Sequence, residues 1–128
     1  LRIASKTGSE KMKLKEITSI LDAEVICGDD NLDREITMAY GSDMMSAILA
    51  FTQAGALLLT GLTNSQVIRT AEMAEISAVC FVRNKKPEKD TVDMAIKKNI
   101  LLFATPLSMF ESCGRLYKRG IHGFNEIT

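Results

Sequence analysis

The chain has no tryptophan, one histidine, two prolines and three cysteines in 128 residues. Each scarcity closes off some chemistry. His122 with the scattered Cys27, Cys80 and Cys113 gives no cluster at metal-ligand spacing, so no metal is expected. Three cysteines cannot all pair, and reduced, packed thiols in a cytoplasmic protein are the plain reading. His122 lies between Gly120 and Gly123, where a catalytic base would lack a rigid pocket. No apolar stretch approaches the roughly 20 residues that cross a bilayer, and Leu1 to Lys11 lacks the hydrophobic core of a signal peptide. Sixteen basic residues balance sixteen acidic ones. That neutrality argues against broad capture of nucleic acid or of a membrane surface. Phosphate-loop, dinucleotide and nucleophile-elbow motifs are all missing. No cofactor and no catalysis are expected. Asp29, Asp30 and Asp33 share one turn without the ligand offsets of a calcium loop.

Three short apolar runs are present: Ala56–Thr60, Ala78–Val82 and Ile100–Ala104. Each begins 22 residues after the one before, and helical patterning fills both gaps. Apolar residues at every position suit strands buried on both faces, as in a parallel sheet fed by strand–helix units. Ligands of such sheets usually bind beyond the C-terminal ends of the strands, here Thr60-Gly61, Arg83-Asn84 and Thr105-Pro106.

Residues 1–11 are polar and aperiodic and read as a linker. From Met12 the pattern predicts a helix over Lys13–Leu21, a strand over Glu24–Cys27 and another over Arg34–Tyr40. A helix capped by Ser42 or Asp43 runs to about Gln53, and Gly55 closes it. Further helices are expected over Ser65–Glu75, over Glu88–Lys98 and from Pro106 or Leu107 to Gly120. Val92, Ala95 and Ile96 would be buried on the second of these, and Leu107, Phe110, Gly114 and Tyr117 on the third. Residues 12–120 thus form one α/β domain of three layers, with a largely parallel central sheet and helices on both faces. Residues 121–128 read as a loose tail.

The loop Thr60-Gly61-Leu62-Thr63-Asn64-Ser65 is the best candidate site. Gly61 permits a tight bend, and Thr63, Asn64 and Ser65 place side-chain donors before a helix whose N-terminal amides attract anions. Arg69 adds charge one turn on. The same residues are also ordinary helix caps. Arg83, with Lys85, Lys86 and Lys89, collects positive charge at the second exit; Thr105 and Ser108 stand at the third.

The stretches Leu32–Ile36, Gly55–Gly61, Asp93–Ala95 with Asn99-Ile100, and Ala104–Phe110 resemble the DRTGG domain. The chain from Met12 to Gly120 is also similar to the N-terminal domain of HPr kinase/phosphorylase. Where that pattern commonly has Gly-Asp-Arg, this chain has Gly61-Leu62-Thr63; where it has Thr-Gly-Gly, this chain has Val82-Arg83-Asn84; where it has Asp-Thr, this chain has Ser108-Met109. The resemblance implies a non-catalytic regulatory or assembly module. In the kinase the phosphate loop belongs to a separate domain. The expected partners are a second copy of the chain, forming a homodimer, and a partner protein or a small polar or phosphorylated ligand. Two alternatives stay open: a small phosphoryl-handling enzyme using the Thr60–Ser65 loop, and a purely structural dimerisation subunit.

Overall fold

In the computed structural model, which describes residues 10–124, the three apolar runs become the centre of the sheet. The strands are β1 (Met12–Lys13), β2 (Glu24–Cys27), β3 (Glu35–Ile36), β4 (Ala39–Gly41), β5 (Leu57–Thr60), β6 (Ala78–Phe81) and β7 (Leu101–Ala104). The helices are α1 (Leu14–Ile20), α2 (Met45–Phe51), α3 (Gln66–Met73), α4 (Lys89–Lys98) and α5 (Met109–Lys118). A five-stranded sheet has the order β2-β7-β6-β5-β4. β4, β5, β6 and β7 run parallel, and β2 pairs antiparallel with β7 at one edge. β1 and β3 form a separate antiparallel pair.

Every residue of β5, β6 and β7 is buried. The register aligns Leu57 with Ala78 and Ala78 with Leu101, so side chains of like parity share a face. Leu57, Leu59, Cys80, Leu101 and Phe103 join Leu14, Ile17 and Leu21 of the α1 region and Leu116 of α5 in one core. Leu58, Val79, Phe81 and Leu102 join Ile48 of α2, Val67, Ile68 and Ala71 of α3, and Ala95 of α4 in the other. The apolar runs are continuous because both faces are covered.

The three helices that link the parallel strands all lie on one face, as a single crossover hand demands when neighbouring strands follow in sequence. After β7 the chain changes sides, and α5 packs with α1 on the opposite face. The loops leaving β6 and β7 therefore diverge, which is where an open α/β sheet forms a crevice.

Four expectations need correction. The single strand over Arg34–Tyr40 is two strands in two sheets, because the chain turns at Thr37-Met38. Alternation of Ile36, Met38 and Tyr40 fits one strand or two equally well. On α4, Thr91 and Ala95 are buried while Ile96 is exposed. On α5, Phe110 is 87% and Tyr117 64% exposed; Ser112 and Leu116 face inward, and Met109 and Cys113 lie against Gly41 of the edge strand. A helical period permits neighbouring stripes, and contact with β4 selects this one. Finally, Ile121 is buried, and His122 bridges to Met38 and accepts the Ala39 N–H at 3.1 Å. Hydrogen bonding thus ties down the start of the expected loose tail; residues 125–128 lie outside the described residues. So do residues 1–9 of the expected linker, while the Glu10 N–H donates to the Gly120 carbonyl at 2.9 Å.

Candidate functional site

Threonine ends β5, and its side chain is wholly buried. The Thr60 hydroxyl donates to Asp43 Oδ1 at 2.8 Å and accepts the Leu62 N–H at 3.2 Å. The Gly61 N–H donates to the same Asp43 oxygen at 2.8 Å. One carboxylate therefore gathers both donors at the β5 exit. A Cβ built on Gly61 would stand 3.0 Å from Arg83 Nη2 and 3.6 Å from Asp43 Oδ2. Glycine is needed here for that close approach, and not for a left-handed bend: its φ lies outside the positive range. Arg83 and Asp43 face one another across Gly61 without closing an ion pair.

Arg83 and Asn84 follow β6 with φ of 58° and 57°. Two successive left-handed residues that are not glycine are uncommon, and strain of this kind concentrates at functional positions. The turn sends the Arg83 N–H to the Leu107 carbonyl at 2.8 Å and the Asn84 N–H to the Thr105 carbonyl at 2.7 Å. These bonds stitch the diverging β6 and β7 loops together. What stays accessible at the rim is exposed Asp43 and Arg83, which approach one another over buried Gly61.

The predicted residues divide accordingly. Thr60, Gly61 and Arg83 come together. Thr63 accepts at its carbonyl from Thr91 Oγ1 at 2.8 Å and from the Glu88 N–H at 3.2 Å, tying the loop to the start of α4. Asn64 Oδ1 accepts the Gln66 N–H at 3.0 Å, and Ser65 begins α3 without a side-chain cap bond. Arg69 Nη1 turns along α3 to Gln66 at 3.5 Å. Thr105 is sealed: its hydroxyl donates to the Leu21 carbonyl and accepts the Leu107 N–H. Ser108 caps α5 by accepting the Glu111 N–H at 3.1 Å. In the basic loop, Lys86 pairs with Glu24 and Lys89 with Asp93, each at 3.2 Å. Asp43 is the residue sequence reading missed as a site member. Beside Ser42, ahead of an apolar helix, it passed for a cap; the cap-like bond is in fact Ser42 Oγ accepting the Met44 N–H.

Burial pushes up the thiols of Cys80, Cys113 and Cys27, holding them protonated and unreactive. Among the described residues no cluster of histidine, cysteine or acidic side chains could hold a metal ion. No helix among them is long and apolar enough to cross a membrane. The site can present one guanidinium and one carboxylate to a small polar molecule, because the Gly61 N–H and the wholly buried Thr60 hydroxyl are already given to Asp43.

No curated protein matches the sequence. A solved structure of similar fold is described as the CBS and DRTGG domains of the regulatory region of Clostridium perfringens pyrophosphatase, complexed with its activator diadenosine tetraphosphate. It superposes with a TM-score of 0.67 at 20% identity over 81% of this chain. This chain spans 45% of that one. The DRTGG domain family matches residues 16–118, most of the ordered sheet and its helices. The chain belongs to the DRTGG domain family.

Proposed function

We propose that this chain is a non-catalytic regulatory module that binds a small phosphorylated ligand at the C-terminal rim of its sheet and works as a homodimer in the cytoplasm. The observation that carries the ligand reading is the Asp43–Gly61–Arg83 arrangement. Among the described residues the guanidinium has no protein anion in ion-pair contact, and its backbone is held in a costly conformation that keeps it over Gly61. The family supports regulation: the structural relative is the regulatory region of an enzyme and is held with a nucleotide activator. Against the enzyme alternative, the Thr60 hydroxyl is wholly buried and its proton is given to Asp43. Free thiols agree with a reducing compartment.

Titration calorimetry against inorganic phosphate, pyrophosphate and adenine nucleotides tests the reading. Binding by at least one, weakened at least ~10-fold by Arg83→Ala, is the expected result for a charge-assisted contact. Silence across the panel removes the ligand and leaves protein assembly as the module's work.

A further inference from the structure

The molecule buries its cores thoroughly, yet among the described residues the two most exposed aromatic side chains stand together as a ridge on one helix. Phe110 and Tyr117 stand 87% and 64% exposed on the outer side of α5. Between them lies Gly114, where an added Cβ would meet nothing within 4 Å among the described residues. The three residues line a shallow depression of about 650 Å³. Glycine weakens a helix interior, and neither positive φ nor crowding inside the chain calls for it at this position. A bare backbone one turn from each of two exposed rings is what the close approach of another helix requires.

We infer that this ridge is where two copies of the chain meet, as an antiparallel pair of α5 helices crossing at Gly114. The inference rests on the homodimer reading and gives it a surface. The ridge is its own complement. A two-fold axis at Gly114 sets Phe110, four residues before the centre, against Tyr117 of the second copy, three residues after it, and repeats the aromatic pair on the other side. The same axis brings Glu111 opposite Lys118. Lys118 makes no ion pair among the described residues, whereas Glu111 pairs at 3.1 Å with Arg115 of its own helix. The charges that flank the rings are thus opposite in sign across the axis. Tyr117 is already held, its ring stacked on His122 at 4.6 Å between centroids, so little freedom is lost on contact. A ten-residue helix is only about 15 Å long. Its face alone falls short of the roughly 800 Å² per partner of a tight interface, so the pair dissociates in the micromolar range.

Sedimentation and light scattering of the 128-residue chain over a dilution series provide the test. A concentration-dependent dimer is expected. Gly114→Arg should raise its dissociation constant at least ~30-fold, as loss of a central contact does. Because the site is open and arginine is the better helix former, the thermal midpoint should hold or rise. Gly114→Cys in a Cys113→Ser background should give a symmetric disulfide dimer on mild oxidation; Met73→Cys, exposed on α3, should not. A dimer that survives Gly114→Arg unchanged and yields no Gly114→Cys cross-link overturns the α5 surface while the dimer stands. A wild-type chain that stays monomeric throughout overturns both.

Discussion

Two threonines stand at the exits of parallel strands, Thr60 as the last residue of β5 and Thr105 just after β7, and they do opposite things. Thr60 and Thr105 are both fully buried, and each accepts the N–H two residues ahead at 3.2 Å. The difference is where each hydroxyl donates. Thr105 donates inward, to the Leu21 carbonyl at the end of α1. Thr60 donates outward, to the carboxylate of exposed Asp43. One exit is therefore closed by backbone, and the other ends open on an exposed carboxylate, where the proposed ligand would sit. A strand-end threonine marks a sheet's rim, and the partner of its hydroxyl decides whether that rim is structure or site.

Removing each hydroxyl should break the symmetry most visibly. Thr105→Val strands the buried Leu21 carbonyl and the part-buried Leu107 N–H and should cost about 2 kcal/mol in urea denaturation. Thr60→Val likewise leaves one part-buried N–H, that of Leu62, but exposed Asp43 can take water instead, so it should cost less, about 1 kcal/mol. Equal losses would show that the two exits are equally structural.

The interior can be set against the rim by pH. The thiols of Cys80, Cys113 and Cys27 are raised by burial. An unfolded cysteine releases its proton near about pH 8.5, while the folded ones retain theirs. Their contribution to stability is whole below that pH and is lost as pH climbs from it toward the folded values. Urea midpoints should hold level from about pH 7 to 8 and then fall. A fall as steep in Cys80→Ala as in wild type would assign it to other groups.

Gly61→Val addresses the open exit alone. Its side chain would enter the space between Arg83 Nη2 and Asp43, both ends of movable side chains, so the fold should lose under about 1 kcal/mol. Pyrophosphate binding should weaken at least ~10-fold as the two groups are pushed apart. A variant that binds normally would place the ligand elsewhere.

The same contrast shows what could be read from the chain. Continuous apolar runs 22 residues apart announced β5, β6 and β7, because burial on both faces leaves no alternation to mistake. Asn99 ended α4 in a left-handed cap as its residue type suggests. The candidate site was half legible. Thr60, Gly61 and Arg83 sit at strand exits and could be named from position. Asp43 could not, because its bond to Gly61 spans 18 residues and depends on β4 lying beside β5. The α5 stripe failed for the same reason: the face a helix buries depends on its neighbour, here Gly41.

The smallest effect has an unusual sign. Arg83 holds φ at 58°, where a Cβ is unfavourable and glycine is not. Arg83→Gly keeps the N–H that bonds to Leu107 and relieves the backbone, so stability should hold or rise by up to about 1 kcal/mol. Pyrophosphate binding should meanwhile drop at least ~10-fold, because the guanidinium is gone. A variant gaining stability as it loses binding would show that this chain carries strain at the open exit for the sake of a charge. A variant that loses stability would instead make the Arg83 side chain part of the scaffold, and the two exits would differ less than their hydroxyls suggest.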